Sequence, residues 1–200
     1  MLNLFFLFAS YIIGSIPFGF IISLLVKNID IRNFGSGNIG ATNVFRSVGK
    51  GWGTLVFILD LLKGIIPVFL MKVYLPGSTE YLFILAAILV VCGHNWTVFL
   101  RFKGGKGVAT SLGALIGLSF VFQNLGLILV LSITSWIAVF VIYRYVSLAS
   151  LFAGSLFFIL TLFLAKDMEI KLLSFLFSVF IWIKHKKNIK RLLEKKENRF

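Results

Sequence analysis

Seven stretches of this chain, residues 2–26, 52–75, 81–100, 108–122, 125–143, 147–165 and 170–183, are almost uninterruptedly apolar. A helix needs about 20 such residues to cross the hydrocarbon of a bilayer, and inside it every backbone N–H and C=O must be bonded within the segment. The expected fold is therefore all-α: a polytopic membrane bundle of about seven transmembrane helices, with residues 1–200 as one domain. Composition agrees, because 59% hydrophobic residues against seven acidic ones leave too little polar surface to coat a water-soluble globule. The same imbalance excludes a disordered chain and a nucleic-acid-binding module. One cysteine, Cys92, allows neither a disulfide framework nor a thiolate metal site, and no metal or other cofactor is expected.

Orientation follows from where the charge lies. No Lys or Arg precedes the first stretch, so it reads as a span rather than a cleavable signal. With the N-terminus outside, the inner connections and the tail from Lys184 hold sixteen of the twenty Lys and Arg, and the outer ones only Lys72, Lys166 and Lys171. Basic residues stay on the cytoplasmic side, which places the C-terminus in the cytoplasm. Most of the net charge of +13 then serves topology and contact with anionic headgroups. The stretches 108–122 and 125–143 are separated only by Gln123 and Asn124, so a hairpin of two short helices and one long bent element both fit.

Polar, glycine-rich segments are confined to the inner side. Residues 35–43 read GSGNIGATN, followed by Arg46. Successive backbone N–H groups in such a turn form a concavity for an anion, and a guanidinium can grip phosphate in bidentate fashion. Residues 102–107 read FKGGKG directly before an apolar helix, putting donors and the positive dipole end together with two mobile lysines, Lys103 and Lys106. Lys106 is followed by Gly107, not Ser or Thr, so this is not a nucleotide-binding P-loop. In the tail, His185, Asn188 and Arg191 recur every three residues and share one helix face. Arg144, Ser147 and Ser150 mark another inner junction. Asp60 and Lys63, three apart within a span, are spaced to pair, and Gly14, Ser15 and Pro17 interrupt the first helix. The tail beyond Leu193 carries no motif.

Several anion cradles at one membrane face point to two negatively charged substrates, one water-soluble and one resident in lipid. No nucleophile elbow is present, and a His general base with an Asp five positions on is absent, since positions 99 and 190 are Phe and Lys. The chemistry left is attack on an already activated substrate, with the protein supplying positioning and charge stabilisation.

The segments GSIPFG at 14–19, GSGNIGATN at 35–43, GHNWTVFLRFKGGKG at 93–107 and HKKNIKRL at 185–192 resemble those of the bacterial acyl-phosphate-dependent glycerol-3-phosphate acyltransferases. The resemblance runs nearly end to end. It implies a multi-pass enzyme of the bacterial inner membrane, a monomer without cofactor, whose partners are acyl phosphate, glycerol 3-phosphate and membrane lipids. The reaction implied moves a fatty acyl group to the 1-hydroxyl of glycerol 3-phosphate, giving lysophosphatidic acid and inorganic phosphate. Carried onto this chain, it makes Ser36, Lys106 and His185 catalytic. Gly37, Asn38, Gly40, Asn43, Arg46, His94, Lys103, Gly104, Gly105, Arg144, Ser147, Ser150 and Asn188 bind substrate. The competing reading is a small organic-anion transporter, which expects polar groups at the bilayer midplane and internal repeats.

Overall fold

The computed structural model describes residues 1–200, and every regular element in it is a helix. In chain order these are α1 (Leu2–Ser15), α2 (Phe18–Lys27), α3 (Ala41–Ser47), α4 (Lys50–Tyr74) and α5 (Glu80–Asn95). After them come α6 (Val108–Ser119), α7 (Leu125–Tyr143), α8 (Val146–Leu164), α9 (Met168–Lys184) and α10 (Lys186–Leu193). Five segments are long and apolar enough to cross a membrane: Leu2–Lys27, Lys50–Tyr74, Glu80–Leu100, Leu125–Tyr143 and Val146–Leu164. The other two apolar stretches are helical but shorter. At 12 residues α6 rises only about 18 Å, and at 17 residues α9 rises about 25 Å, against about 30 Å of hydrocarbon. Between α6 and α7 the chain turns, and Asn124 takes a left-handed conformation (φ 66°), so two helices form rather than one bent element.

The first span is broken where the sequence places Gly14, Ser15 and Pro17. Proline has no N–H to continue the ladder, and α2 starts anew after it. The break leaves the Ile16 carbonyl without a helical partner, and Lys63 Nζ of α4 donates to it at 2.8 Å. Serines inside the spans bond back to carbonyls of the preceding turn, as Ser23 does to Gly19 and Ser132 to Ile128, which satisfies hydroxyls that lipid cannot.

The chain sorts into two compact units, residues 1–121 and 122–200. In the first, α1 lies on α5 and α4 on both α5 and α6, with α3 packed on α4. At the α4–α6 crossing two glycines let backbones touch: a Cβ on Gly64 would sit 3.0 Å from the Gly113 Cα and 2.8 Å from the Ala114 nitrogen. Lipid gives no hydrophobic drive for helix pairing, so this close approach is what holds the pair. Gly64→Val is expected to cost about 1–3 kcal/mol by overpacking and to lower the midpoint of thermal unfolding in detergent by several degrees. Gly51→Ala, whose Cβ meets nothing within 4 Å, should leave that midpoint unchanged or raise it slightly.

In the second unit α8 lies between α7 and α9, tied by hydroxyl and indole bonds across the pairs. Trp136 Nε1 donates to Ser150 Oγ at 3.1 Å, Thr161 and Ser174 hydroxyls meet at 2.6 Å, and Trp182 Nε1 donates to Ser155 Oγ at 3.0 Å.

Candidate functional site

The first polar cluster is the loop between α2 and α3. It begins with Asp30, whose carboxylate accepts from the Arg32 backbone and forms a bidentate pair with the Arg32 guanidinium. That hydrogen-bonded guanidinium holds the Asp30 carboxyl below its ordinary range; the pair is solvated and adds little to stability. Gly35 (φ 56°) and Gly37 (φ 70°) then turn the chain in the left-handed region.

Asn43, in α3, organises the turn from inside. Its Oδ1 accepts from the Ser36 backbone N–H at 3.0 Å, and its Nδ2 donates toward the carbonyls of Ile31, Phe34 and Asn38 at 3.2, 2.9 and 2.9 Å. Asn38 Oδ1 in turn accepts from the Gly40 N–H at 2.8 Å. Asn43 is 2% exposed and spends its side chain on the loop, so its place is scaffold rather than ligand surface. Beneath lies an apolar floor of Ile22, Ile31, Ile39, Val44, Val48 and Val56. Ser36 and Asn38 are half-buried at the rim, and Arg46 is exposed.

The second cluster runs from the end of α5 to the start of α6. A short 3-10 turn, Val98–Leu100, is capped by Thr97, whose hydroxyl donates to the Ser15 carbonyl at the α1 break. Tyr11 Oη donates to the Trp96 carbonyl at 2.9 Å, so α1 and this loop are tied twice. The chain then folds back over His94. The Gly105 N–H donates to the His94 carbonyl at 3.0 Å, and a Cβ on Gly105 would run into His94 Nε2.

The Gly105 N–H therefore points inward, not toward a bound anion as the glycine pair alone implies; Gly104 and Gly105 serve close approach. His94 is 5% exposed and lies under the loop. Its Nδ1 is 3.1 Å from Thr110 Oγ1 of α6 and 3.6 Å from Asp60 Oδ1 of α4. Asp60 pairs with Lys63 at 2.8 Å, both buried. Lys106 is half-buried and Lys103 exposed on the outer side of the loop.

The third cluster lies in the second unit, where α9 ends, α10 begins and the tail returns. His185 is buried at the α9–α10 junction, its Nδ1 2.8 Å from the Ile181 carbonyl, a contact that assigns the proton of the neutral ring to Nδ1. Asn188 Nδ2 donates to Glu197 Oε1 at 2.6 Å, Ser147 Oγ donates to the same oxygen at 2.9 Å, and Arg191 Nε donates to Glu197 Oε2 at 2.8 Å. One carboxylate thus gathers three groups from α8 and α10. The tail is fastened further by the Phe200 N–H on the Arg144 carbonyl at 2.8 Å and by Arg199 Nε on Tyr145 Oη at 3.1 Å. Ser150 sits apart from this cluster: it donates to the Val146 carbonyl and accepts from Trp136, which makes it an interhelical tie. Arg144 has an exposed side chain.

Sequence reasoning missed Glu197, since neither it nor Glu194 forms a pattern in the basic tail. It also missed the link of Asp60 to His94, because nothing in the sequence couples residues of different spans. The only available signal was the unusual presence of a carboxylate inside an apolar stretch.

The family model of glycerol-3-phosphate acyltransferase matches residues 4–195. A glycerol-3-phosphate acyltransferase of Thermoanaerobacter sp. (strain X514) is 43% identical over 190 residues, 95% of this chain and 91% of that protein. One from Aquifex aeolicus (strain VF5) is 40% identical over 200 residues, covering both chains fully. Among solved structures, the chain resembles PlsY, an integral membrane glycerol 3-phosphate acyltransferase, in its glycerol 3-phosphate form. The TM-score is 0.90 at 38% identity, over 100% of this chain and 96% of that one. The lysophosphatidic acid form of the same enzyme aligns with a TM-score of 0.86.

Proposed function

The chain belongs to the glycerol-3-phosphate acyltransferase family and is an integral membrane acyltransferase of phospholipid biosynthesis; from that premise we propose that its acyl donor is an acyl phosphate. The acceptor is the 1-hydroxyl of glycerol 3-phosphate, and the products are lysophosphatidic acid and inorganic phosphate. The observation that carries this reading is the pair of glycine-rich loops, 35–40 and 103–107, each built on a buried polar scaffold and bordered by Arg46, Lys103 and Lys106. The 35–40 turn suits a phosphate through its backbone, and the 103–107 loop through its two lysines.

In the reaction the acceptor oxygen forms a bond to the acyl carbon, the bond from that carbon to the bridging phosphate oxygen breaks, and phosphate leaves. The hydroxyl proton passes to a phosphate oxygen of the donor, so no protein base is needed. Ser36, with Gly37, Asn38 and Gly40, holds the donor, and Asn43 holds that loop. Lys106 neutralises the charge that develops, and Arg46 and Lys103 take the glycerol 3-phosphate. Within residues 122–200, His185, Asn188, Ser147 and Arg144 form a polar cluster of their own suited to a phosphate group. Gly104, Gly105, His94 and Ser150 act as supports.

Residues 1–200 work as one domain and a monomer in the bacterial inner membrane, with the N-terminus outside and the C-terminus cytoplasmic. Five crossings, like seven, leave the termini on opposite sides. The test is purified protein in detergent supplied with acyl phosphate and glycerol 3-phosphate. Lysophosphatidic acid and phosphate are expected together; protein that stays folded and forms neither would contradict the donor assignment.

A further inference from the structure

Asp60 takes no part in the acyl transfer, yet it is buried within the first unit. It is buried in α4, its Oδ1 2.8 Å from Lys63 Nζ and 3.6 Å from His94 Nδ1. A pair needed only to neutralise Lys63 would not require the third partner. His94 connects Asp60 to the 103–107 loop: one ring nitrogen faces Asp60 and Thr110, and the other lies against Gly105. An imidazole held on one edge by a carboxylate and a hydroxyl cannot turn about its χ2 axis, and its other edge then sets the height and tilt of the backbone above it.

We propose that Asp60 is a positioning residue for this reaction, acting through His94 and assisted by Thr110 to fix the 103–107 loop that receives glycerol 3-phosphate. The inference rests on the assignment of that loop to the acceptor. Lys63 has a second task in the same assembly, since it binds Ile16 at the α1 break, and Thr97 binds Ser15 beside it. The break in the first span and the loop therefore share one buried polar frame. The asymmetry matters for function: loosening the frame should spoil acceptor binding, while the donor loop at 35–43 stands on its own scaffold around Asn43.

The experiment is steady-state kinetics of the full chain in detergent, wild type beside Asp60→Asn, His94→Ala, the double variant and Thr110→Val. The expected result is a KM for glycerol 3-phosphate raised about 10-fold or more in the first two, with the KM for acyl phosphate within about twofold of wild type. The double variant should be no worse than the worse single one, because both changes cut the same line of support. General structural damage would raise both KM values or lower turnover without a split, and either pattern overturns the proposal, as does full additivity.

Should Asp60→Asn fail to fold with Lys63 left unpaired, Thr110→Val decides. It removes the hydroxyl from Nδ1 at nearly constant shape and must raise the glycerol 3-phosphate KM several-fold; an unchanged KM overturns the proposal. Wild type without turnover on these two substrates would instead remove the reading of the reaction on which this inference stands.

Discussion

Ser36→Ala is expected to give a folded protein whose turnover falls about 100- to 1,000-fold, the usual loss when one donor to a developing oxyanion is removed. The residue is half-buried at the rim of the 35–43 loop, and its backbone N–H is already fixed by Asn43, so the substitution removes a hydroxyl and leaves the loop standing. Circular dichroism and the thermal midpoint should match wild type while lysophosphatidic acid formation collapses. Lys106→Ala should lose activity on a similar scale, since no other ammonium shares its half-buried place in the 103–107 loop. If both variants kept near-normal turnover, neither loop would hold a reacting group.

Asn43→Ala should do at least as much damage by another route. It strips the Ser36 N–H of its acceptor and leaves the carbonyls of Ile31, Phe34 and Asn38 without the amide that ties them. The Ile31 and Phe34 carbonyls keep the N–H groups of Phe34 and Gly37, but the Ser36 N–H and the Asn38 carbonyl lose the partner that Asn43 gives them, at about 1–3 kcal/mol each where water cannot replace it. The loop opens while the spans, bonded within themselves, remain. Asn43→Asp is the sharper form. It keeps an acceptor for Ser36 but turns a carboxylate toward three carbonyl oxygens, so it should be no more active than Asn43→Ala. Limited proteolysis at residues 34–40 should detect the opened loop in both; wild-type resistance with lost activity would instead mean that Asn43 touches substrate.

Much of the fold was legible because membrane solvent enforces simple rules. Apolar runs become helices, Pro17 breaks the first of them, and Gln123 with Asn124 lie in the turn between α6 and α7. Length was less legible: the apolar character of 108–122 outlasts the helix, which stops at Ser119. The clusters were found where glycine, asparagine and basic residues concentrate, but the sequence does not say which way a polar group points. Asn43, Ser150 and the Gly105 N–H all carry the right chemistry and all turn inward. Glu197 was illegible for the opposite reason: its importance comes from Arg191, Asn188 and Ser147, which the fold gathers from six, nine and fifty residues away.

The central claim is that the acyl group arrives already activated as a mixed anhydride with phosphate. Purified wild-type protein should be given labelled glycerol 3-phosphate with either acyl phosphate or acyl-CoA, and phosphate release counted against labelled lysophosphatidic acid. The account predicts one phosphate per lysophosphatidic acid from acyl phosphate and no product from acyl-CoA. Product from acyl-CoA at a comparable rate, or lysophosphatidic acid formed without matching phosphate, would contradict it.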